Sequence, residues 1–186
     1  AVVTFADPAA TDNCGVTSLS ADVPSGSTFA LGTTTVTFTA QDAQGLSATR
    51  SFTVTVVDDE DPSISSMPAN ITSQSVDAGL CGAVVTWSAP SASDNCSLSS
   101  LSPDIASGSA FPVGTTTVTY TATDAAGNTH EESFTVTVVD DENPVISSTP
   151  ADITGVSVDA GQCGAVVSWT PPTAADNCPG VVLTSS

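Results

Sequence analysis

Displaced by 82 residues, the sequence lies on itself without a gap. Cys14, Cys96 and Cys178 fall in one register, Cys81 and Cys163 in another (96 − 14 = 178 − 96 = 163 − 81 = 82). Residues 1–82 and 83–164 share 53 identities out of 82. VDAGLCGAVVTW at 76–87 returns as VDAGQCGAVVSW at 158–169, and SFTVTVVDDE at 51–60 is unchanged at 133–142. Self-similarity at a fixed period marks a tandem array, and it constrains the fold before any residue is considered singly. The 186 residues contain 186/82, or about 2.3, periods. Residues 1–60 read as the C-terminal part of a first repeat, 61–142 as a complete repeat and 143–186 as the N-terminal part of a third. Domain boundaries normally fall in exposed linkers, so the chain reads as a window on a longer array, with any leader upstream.

Within one period the pattern is that of strands. In Thr115–Thr123, Val118, Tyr120 and Ala122 alternate with threonines, and in Ser133–Val138, Phe134, Val136 and Val138 form the apolar set. Strict alternation of this kind predicts half-buried strands. Asp124-Ala125-Ala126-Gly127-Asn128 between them predicts a hairpin connection. Further strands are expected over 82–87 and around Ile64–Ser66. Several short strands with Gly, Pro, Asn and Asp turns in about 80 residues predict an all-β fold, tandem immunoglobulin-like β-sandwich repeats of 82 residues. The expected core is Ile64, Ile71, Val76, Val85, Trp87, Leu101, Phe111, Val118, Tyr120, Phe134, Val136 and Val138. Such a core is small for its unit, so cross-links matter.

The cysteine register predicts pairing within a repeat, Cys81 with Cys96 and Cys163 with Cys178. Cys14 is then left over, its partner expected just before Ala1. Disulfides place the chain in an oxidising compartment, extracellular or at the cell surface.

Charge excludes several classes of partner. The chain has 20 acidic residues, one Arg and no Lys, for a net charge of −19. Nucleic acid and anionic lipid headgroups would repel it. No apolar run approaches the roughly 18 residues of a membrane span, so no membrane insertion is expected of this segment. With a single His and no Lys, most acid–base and nucleophile constellations cannot be assembled, and no enzyme is predicted. His130, next to Glu131 and Glu132, reads as a surface residue.

CGAVVTW, then DNC about ten residues on, FPVGTTTVTYTATDAAGN and a closing SFTVTVVDDE-x-P together resemble the hyalin repeat (HYR) domain over essentially the whole chain. The resemblance implies an immunoglobulin-like sandwich, tandem arrangement, an extracellular role in adhesion or structural matrices, and no catalysis.

Acidity concentrates where repeats meet. Asp58-Asp59-Glu60-Asp61-Pro62 is echoed by Asp140-Asp141-Glu142-Asn143-Pro144. Consecutive carboxylates repel one another unless a cation neutralises them, and hard oxygen ligands suit Ca²⁺. In a tandem sandwich array the incoming strand meets the loops after the second and sixth strands of the next domain. One Ca²⁺ site is therefore expected from Asp58, Asp59, Glu60, Asp61, Asp94 and Asn95, with Asp124. An equivalent one is expected from Asp140, Asp141, Glu142, Asp176 and Asn177, and it lacks its hairpin loop here. A solvated acidic linker is the competing reading. Asp94 and Asn95 also suit a turn cap, and Trp87 and Trp169 suit core anchors better than sugar platforms. The sequons at Asn70 and Asn95 are N-glycan acceptors in a secreted protein, or chance in a Ser/Thr-rich chain. The function expected is a structural segment of a repetitive extracellular fibre or stalk. Its partners would be further copies of the same repeat, with self-association into filaments. The alternatives are an adhesive module binding glycans or a protein, and a non-catalytic spacer of a secreted enzyme.

Overall fold

The computed structural model describes residues 1–184, and among them there is no helix. The first segment forms a three-stranded antiparallel sheet: β1 (Val16–Ala21), β2 (Gly32–Asp42) and β3 (Ser47–Val56), in that order. The complete repeat supplies β4 (Ser63–Ser65), β5 (Ile71–Ser75), β6 (Gly82–Val85), β7 (Ser91–Ser93), β8 (Leu98–Pro103), β9 (Ser109–Pro112), β10 (Gly114–Asp124) and β11 (Thr129–Val139). One layer of its sandwich is β5-β11-β10-β8, and β4-β7 and β6-β9 pair separately to cover it. The last segment contributes β12 (Val145–Ser147) paired with β13 (Thr173–Ala175).

The alternation read from the sequence sets the two faces of the main sheet. Val118, Tyr120, Ala122, Phe134, Val136 and Val138 are buried, Val76 joins them where β5 ends against β11, and Ile64, Ala83, Val85 and Phe111 close over them from the opposite layer. Ile71, Trp87 and Leu101 pack against this cluster while partly buried. Trp87 meets Phe111 and Phe134 edge to face, at 6.0 and 5.2 Å between ring centroids, the offset arrangement that aromatic quadrupoles favour. Its indole N–H donates to the Tyr120 hydroxyl at 2.8 Å, so its one polar atom is satisfied in the core. On the outer face Thr115 and Thr137 hydroxyls meet at 2.9 Å, as Thr33 and Thr55 do at 3.1 Å in the first segment. The threonines thus favour strands and remain solvated.

Repetition extends to the backbone. Ser66 and Ser148, 82 residues apart, both adopt φ of 59°, a left-handed conformation uncommon outside glycine. The first segment holds the equivalents of β8, β10 and β11, with a single bridge, Val2 to Thr28, where β6 and β9 pair in the complete repeat. Phe5 stands at the Trp87 position and packs edge to face on Phe38 and Phe52.

Candidate functional site at the joints between repeats

β11 runs the length of the sandwich, and this separates two ends with different chemistry. At one end the β10–β11 hairpin reverses through Asp124–Asn128. Asp124 is the buried charge of the domain, at 2% exposure. Its Oδ1 accepts the Gly127 and Asn128 backbone N–H groups at 2.6 and 2.7 Å, and its Oδ2 accepts Asn128 Nδ2 at 2.7 Å. Burial pushes the carboxyl pKa up, but these hydrogen bonds outweigh it and hold Asp124 below the usual carboxylate value. Gly127 sits at φ of 99°, which the tight reversal requires and a side chain would resist.

The incoming joint docks on this hairpin. Asn128 Nδ2 also donates to the backbone carbonyls of Asp58 and Glu60, at 3.2 and 3.3 Å. Asn95 Nδ2 donates to the Glu60 carboxylate. Asp94 closes an Asx turn, its Oδ2 accepting the N–H groups of Cys96 and Ser97 at 2.8 and 3.0 Å. Pro62 is fully buried just beyond, which sets the direction in which the chain enters the repeat.

The result is a convergence of three carboxylates. One oxygen each from Asp58, Asp94 and Asp124 lies within 4.8 Å of the others, the single such group among the described residues. Asp94 Oδ1 is buried there with no hydrogen-bond partner. Of the other residues expected at this site, Asp59 and Asp61 are exposed and stand outside the group. Glu60 and Asn95 border it through their mutual hydrogen bond. The Cys96 thiol is a neighbour that sequence reading does not place there. A hydrogen bond to Asp58, then burial and the charges of Asp58, Asp94 and Asp124, push its pKa above the usual thiol value.

The second joint is arranged differently. Asp140 Oδ1 accepts the Glu142 N–H at 3.3 Å, and Asp141 accepts the Ser75 hydroxyl at 2.6 Å. Glu142 accepts the Gly79 N–H at 3.0 Å. Asp176 Oδ1 accepts the Cys178 N–H at 3.3 Å, the same Asx turn as Asp94 makes. Asn177 Nδ2 donates to the Leu80 carbonyl at 2.9 Å, and its buried Oδ1 has no partner. Asp141, Glu142 and Asn177 therefore contact the far end of the preceding repeat, Asp140 and Asp176 bond locally, and the five do not converge into a carboxylate group among the described residues. The counterpart of Asp124 would be position 206, beyond the 186 residues. Ser75, Gly79 and Leu80 escape a search for charged motifs because two of them contribute only backbone.

The disulfide corrects the pairing expected from the sequence. Cys81 is bonded to Cys178, with Cα atoms 4.8 Å apart, while Cys14, Cys96 and Cys163 are free and exposed. The geometry explains why Cys81 does not reach Cys96. The Cys81 turn packs where β11 ends, the Val76 N–H donating to the Val139 carbonyl and Gly79 to Glu142. Cys96 packs where β11 begins, with the Ala125 N–H donating to the Ser97 carbonyl at 2.8 Å. The eleven residues of β11 separate these ends by about 33 Å, at roughly 3.3 Å per residue. A disulfide needs Cα atoms within about 7 Å. The expected Cys163–Cys178 bond is likewise absent, Cys178 being committed to Cys81.

The remaining candidates are surface features. Asn70 is exposed and its Oδ1 accepts the Thr135 N–H at 2.9 Å. Asn95 is exposed as well, with its amide held by Glu60. His130 lies on β11 with its Nε2 3.5 Å from Glu132, half exposed. No helix among the described residues is long and apolar enough to cross a membrane.

These features define a class: all-β sandwich domains in tandem, joined end to end through acidic linkers. Comparison with known proteins gives the family. The HYR domain model matches residues 1–56 and again 57–138. Hyalin from Strongylocentrotus purpuratus is 36% identical over 187 residues, covering 98% of this chain and 16% of that protein. Hyalin from Lytechinus variegatus is 39% identical over 188 residues, covering 98% of this chain and 35% of that protein. The chain belongs to the HYR domain family. It spans at most about a third of the length of these curated relatives.

Proposed function

We propose that this chain is a structural segment of an extracellular repeat protein, a fibre or stalk serving adhesion or matrix structure, without catalytic activity. Its joints would be stiffened by a divalent cation of the Ca²⁺ class. The observation that carries the reading is the interlocked first joint, where Asp58 from the linker meets Asp94 and Asp124 from two loops of the following domain. Three carboxylates so close repel strongly in a site where one of them is buried, and a cation converts that repulsion into a cross-link. The unpartnered Asp94 Oδ1 is an oxygen left available for such an ion. Backbone carbonyls at the joint are of the same ligand class. Ca²⁺ takes 6–8 oxygens, and water would complete the shell.

Resemblance to hyalin at 36–39% identity and a net charge of −19 with Arg50 as the one Lys or Arg both favour a structural role over recognition of an anionic ligand. Small-angle scattering tests the reading. The maximum dimension and stiffness should fall when a chelator is added and recover with Ca²⁺. Asp124→Asn should remove that response. Identical scattering with and without chelator would leave the joint as a solvated acidic linker. Saturable retention of the chain on a glycan array would favour the adhesive alternative.

A further inference from the structure

The single disulfide is a fragment of a pattern. Cys81 belongs to the turn after β5 of one repeat and Cys178 to the Asp-Asn-Cys turn of the next, 97 residues on. We propose that this bridge recurs once per 82 residues, so that every repeat is covalently tied to its successor and the array is a disulfide ladder. The rule accounts for all five cysteines. Joining the first-type cysteine of one repeat to the second-type cysteine of the following one leaves a single pair inside residues 1–186, Cys81 with Cys178. Cys14 and Cys96 then require a first-type cysteine one repeat earlier, and Cys163 a second-type cysteine one repeat later. These three are the free thiols.

Each free thiol is presented as its bonded counterpart is. Around Cys81, the Asp77 N–H donates to the Gly82 carbonyl at 2.8 Å and Val84 N–H to the Asp77 carboxylate at 2.9 Å. Around Cys163, the Asp159 N–H donates to the Gly164 carbonyl at 2.9 Å and Val166 N–H to the Asp159 carboxylate at 3.1 Å. Cys14, Cys96 and Cys178 each donate their N–H to the aspartate two residues before, in the same Asx turn. The bonded joint is also clamped without the disulfide, by Asn177 on Leu80 and Glu142 on Gly79. That contact brings the two sulfurs together before they react. Bond formation follows thiol–disulfide exchange. A disulfide reagent of the secretory type, R–S–S–R, loses its S–S bond and accepts both protons as two R–SH, while the two cysteines are oxidised to one S–S bond.

The ladder rests on the reading of the chain as part of a continuing array, and two measurements separate the parts. Alkylation of the intact, unreduced 186-residue chain in denaturant should add three groups, on Cys14, Cys96 and Cys163. Pairing within repeats would leave only Cys14 and add one group, which would overturn the bridge itself. In Cys178→Ser all four remaining cysteines should be alkylated, against two if Cys81 could turn to Cys96. For longer natural material, non-reducing digestion with a protease cutting at acidic residues should yield peptides linking each Cys-Gly-Ala-Val-Val segment to the Asp-Asn-Cys segment 97 residues downstream. If such material instead shows alkylatable thiols at every repeat, the bridge is particular to one joint and the ladder fails. The calcium response of the joint is untouched by either result.

Discussion

The first 44 residues of the complete repeat and the last segment share 25 identities out of 44 and differ in what the shared sequence does. Val76 is 9% exposed and its counterpart Val158 is 62% exposed. Trp87 is locked between Phe111, Phe134 and Tyr120, whereas Trp169 is 61% exposed. Gly82–Val85 is a strand paired with Ser109–Pro112, and the corresponding 164–167 is not a strand at all. The turns at 77–82 and 159–164 nevertheless keep identical hydrogen bonds. The difference separates two kinds of structure. A turn closes on partners a few residues away and forms wherever its sequence occurs. A strand and a core residue need partners supplied by β9, β10 and β11, and residues 143–186 contain only the counterparts of 61–104.

Paired substitutions turn this contrast into measurements. The largest effect is expected at the tryptophans. Trp87→Ala should cost about 3–5 kcal/mol in denaturant unfolding, while Trp169→Ala in the same chain should cost close to nothing. In a chain lengthened by the counterparts of 105–142, Trp169→Ala should become as costly as Trp87→Ala; equal, small effects throughout would mean that Trp87 is not a core anchor.

Next come the glycines. A Cβ on Gly82 would lie 2.6 Å from the Phe111 carbonyl oxygen, whereas one on Gly164 meets nothing within 4 Å. Gly82→Ala should therefore destabilise by about 1–3 kcal/mol, in the range of overpacking, and Gly164→Ala should leave the unfolding midpoint unchanged. Equal midpoints for the two variants would contradict the close β6–β9 approach.

A smaller effect is expected at Asn128, which binds Asp58 and Glu60 carbonyls and whose first-segment counterpart is Leu46, 71% exposed. Asn128→Leu should cost about 1 kcal/mol through lost hydrogen bonds and increase hydrogen exchange at residues 58–60. Unaltered exchange there would show that Asn128 does not hold the joint.

Acid titration should show the most limited change. Asp124 has a folded pKa below its ordinary value of 3.8, so its stabilising contribution is complete above that value. It should be lost as pH falls through the lower folded value, because the unfolded chain takes up the proton first. The stability gap between the protein and Asp124→Asn should thus be constant above about pH 5 and close in stronger acid. A gap that widens in acid would reverse the assignment.

Reduction bears on the same contrast from the other side. The Cys81–Cys178 bridge closes a loop of nearly one hundred residues, worth about 4–5 kcal/mol in the chain-entropy model. It fastens the sparsely packed last segment to the well-packed one.

Much of the fold could be read in the sequence because it depends on local pattern. Alternation in 115–123 and 133–138 gave the strands and their inner faces, and every residue of the expected core lies in or against the buried cluster. The acidic joint was visible as a run of carboxylates. That Asp58 would converge with Asp94 and Asp124 followed from sandwich topology. That Asp59 and Asp61 would turn outward did not, because neighbouring residues of an extended linker point in opposite directions. The Asn128 contacts were invisible for another reason: the polar groups they bind are backbone carbonyls, which carry no sequence signal.

The repeat by itself determined the 82-residue unit, the all-β architecture and the turns that present each cysteine. Tertiary structure alone decided which cysteines meet. Spacing of 15 residues along the chain made Cys81 and Cys96 look like partners, yet β11 holds their turns at opposite ends of a rigid sandwich. The end-to-end stacking of repeats brings Cys178 to Cys81 instead, because a covalent bond depends on distance in space and the sequence records only distance along the chain.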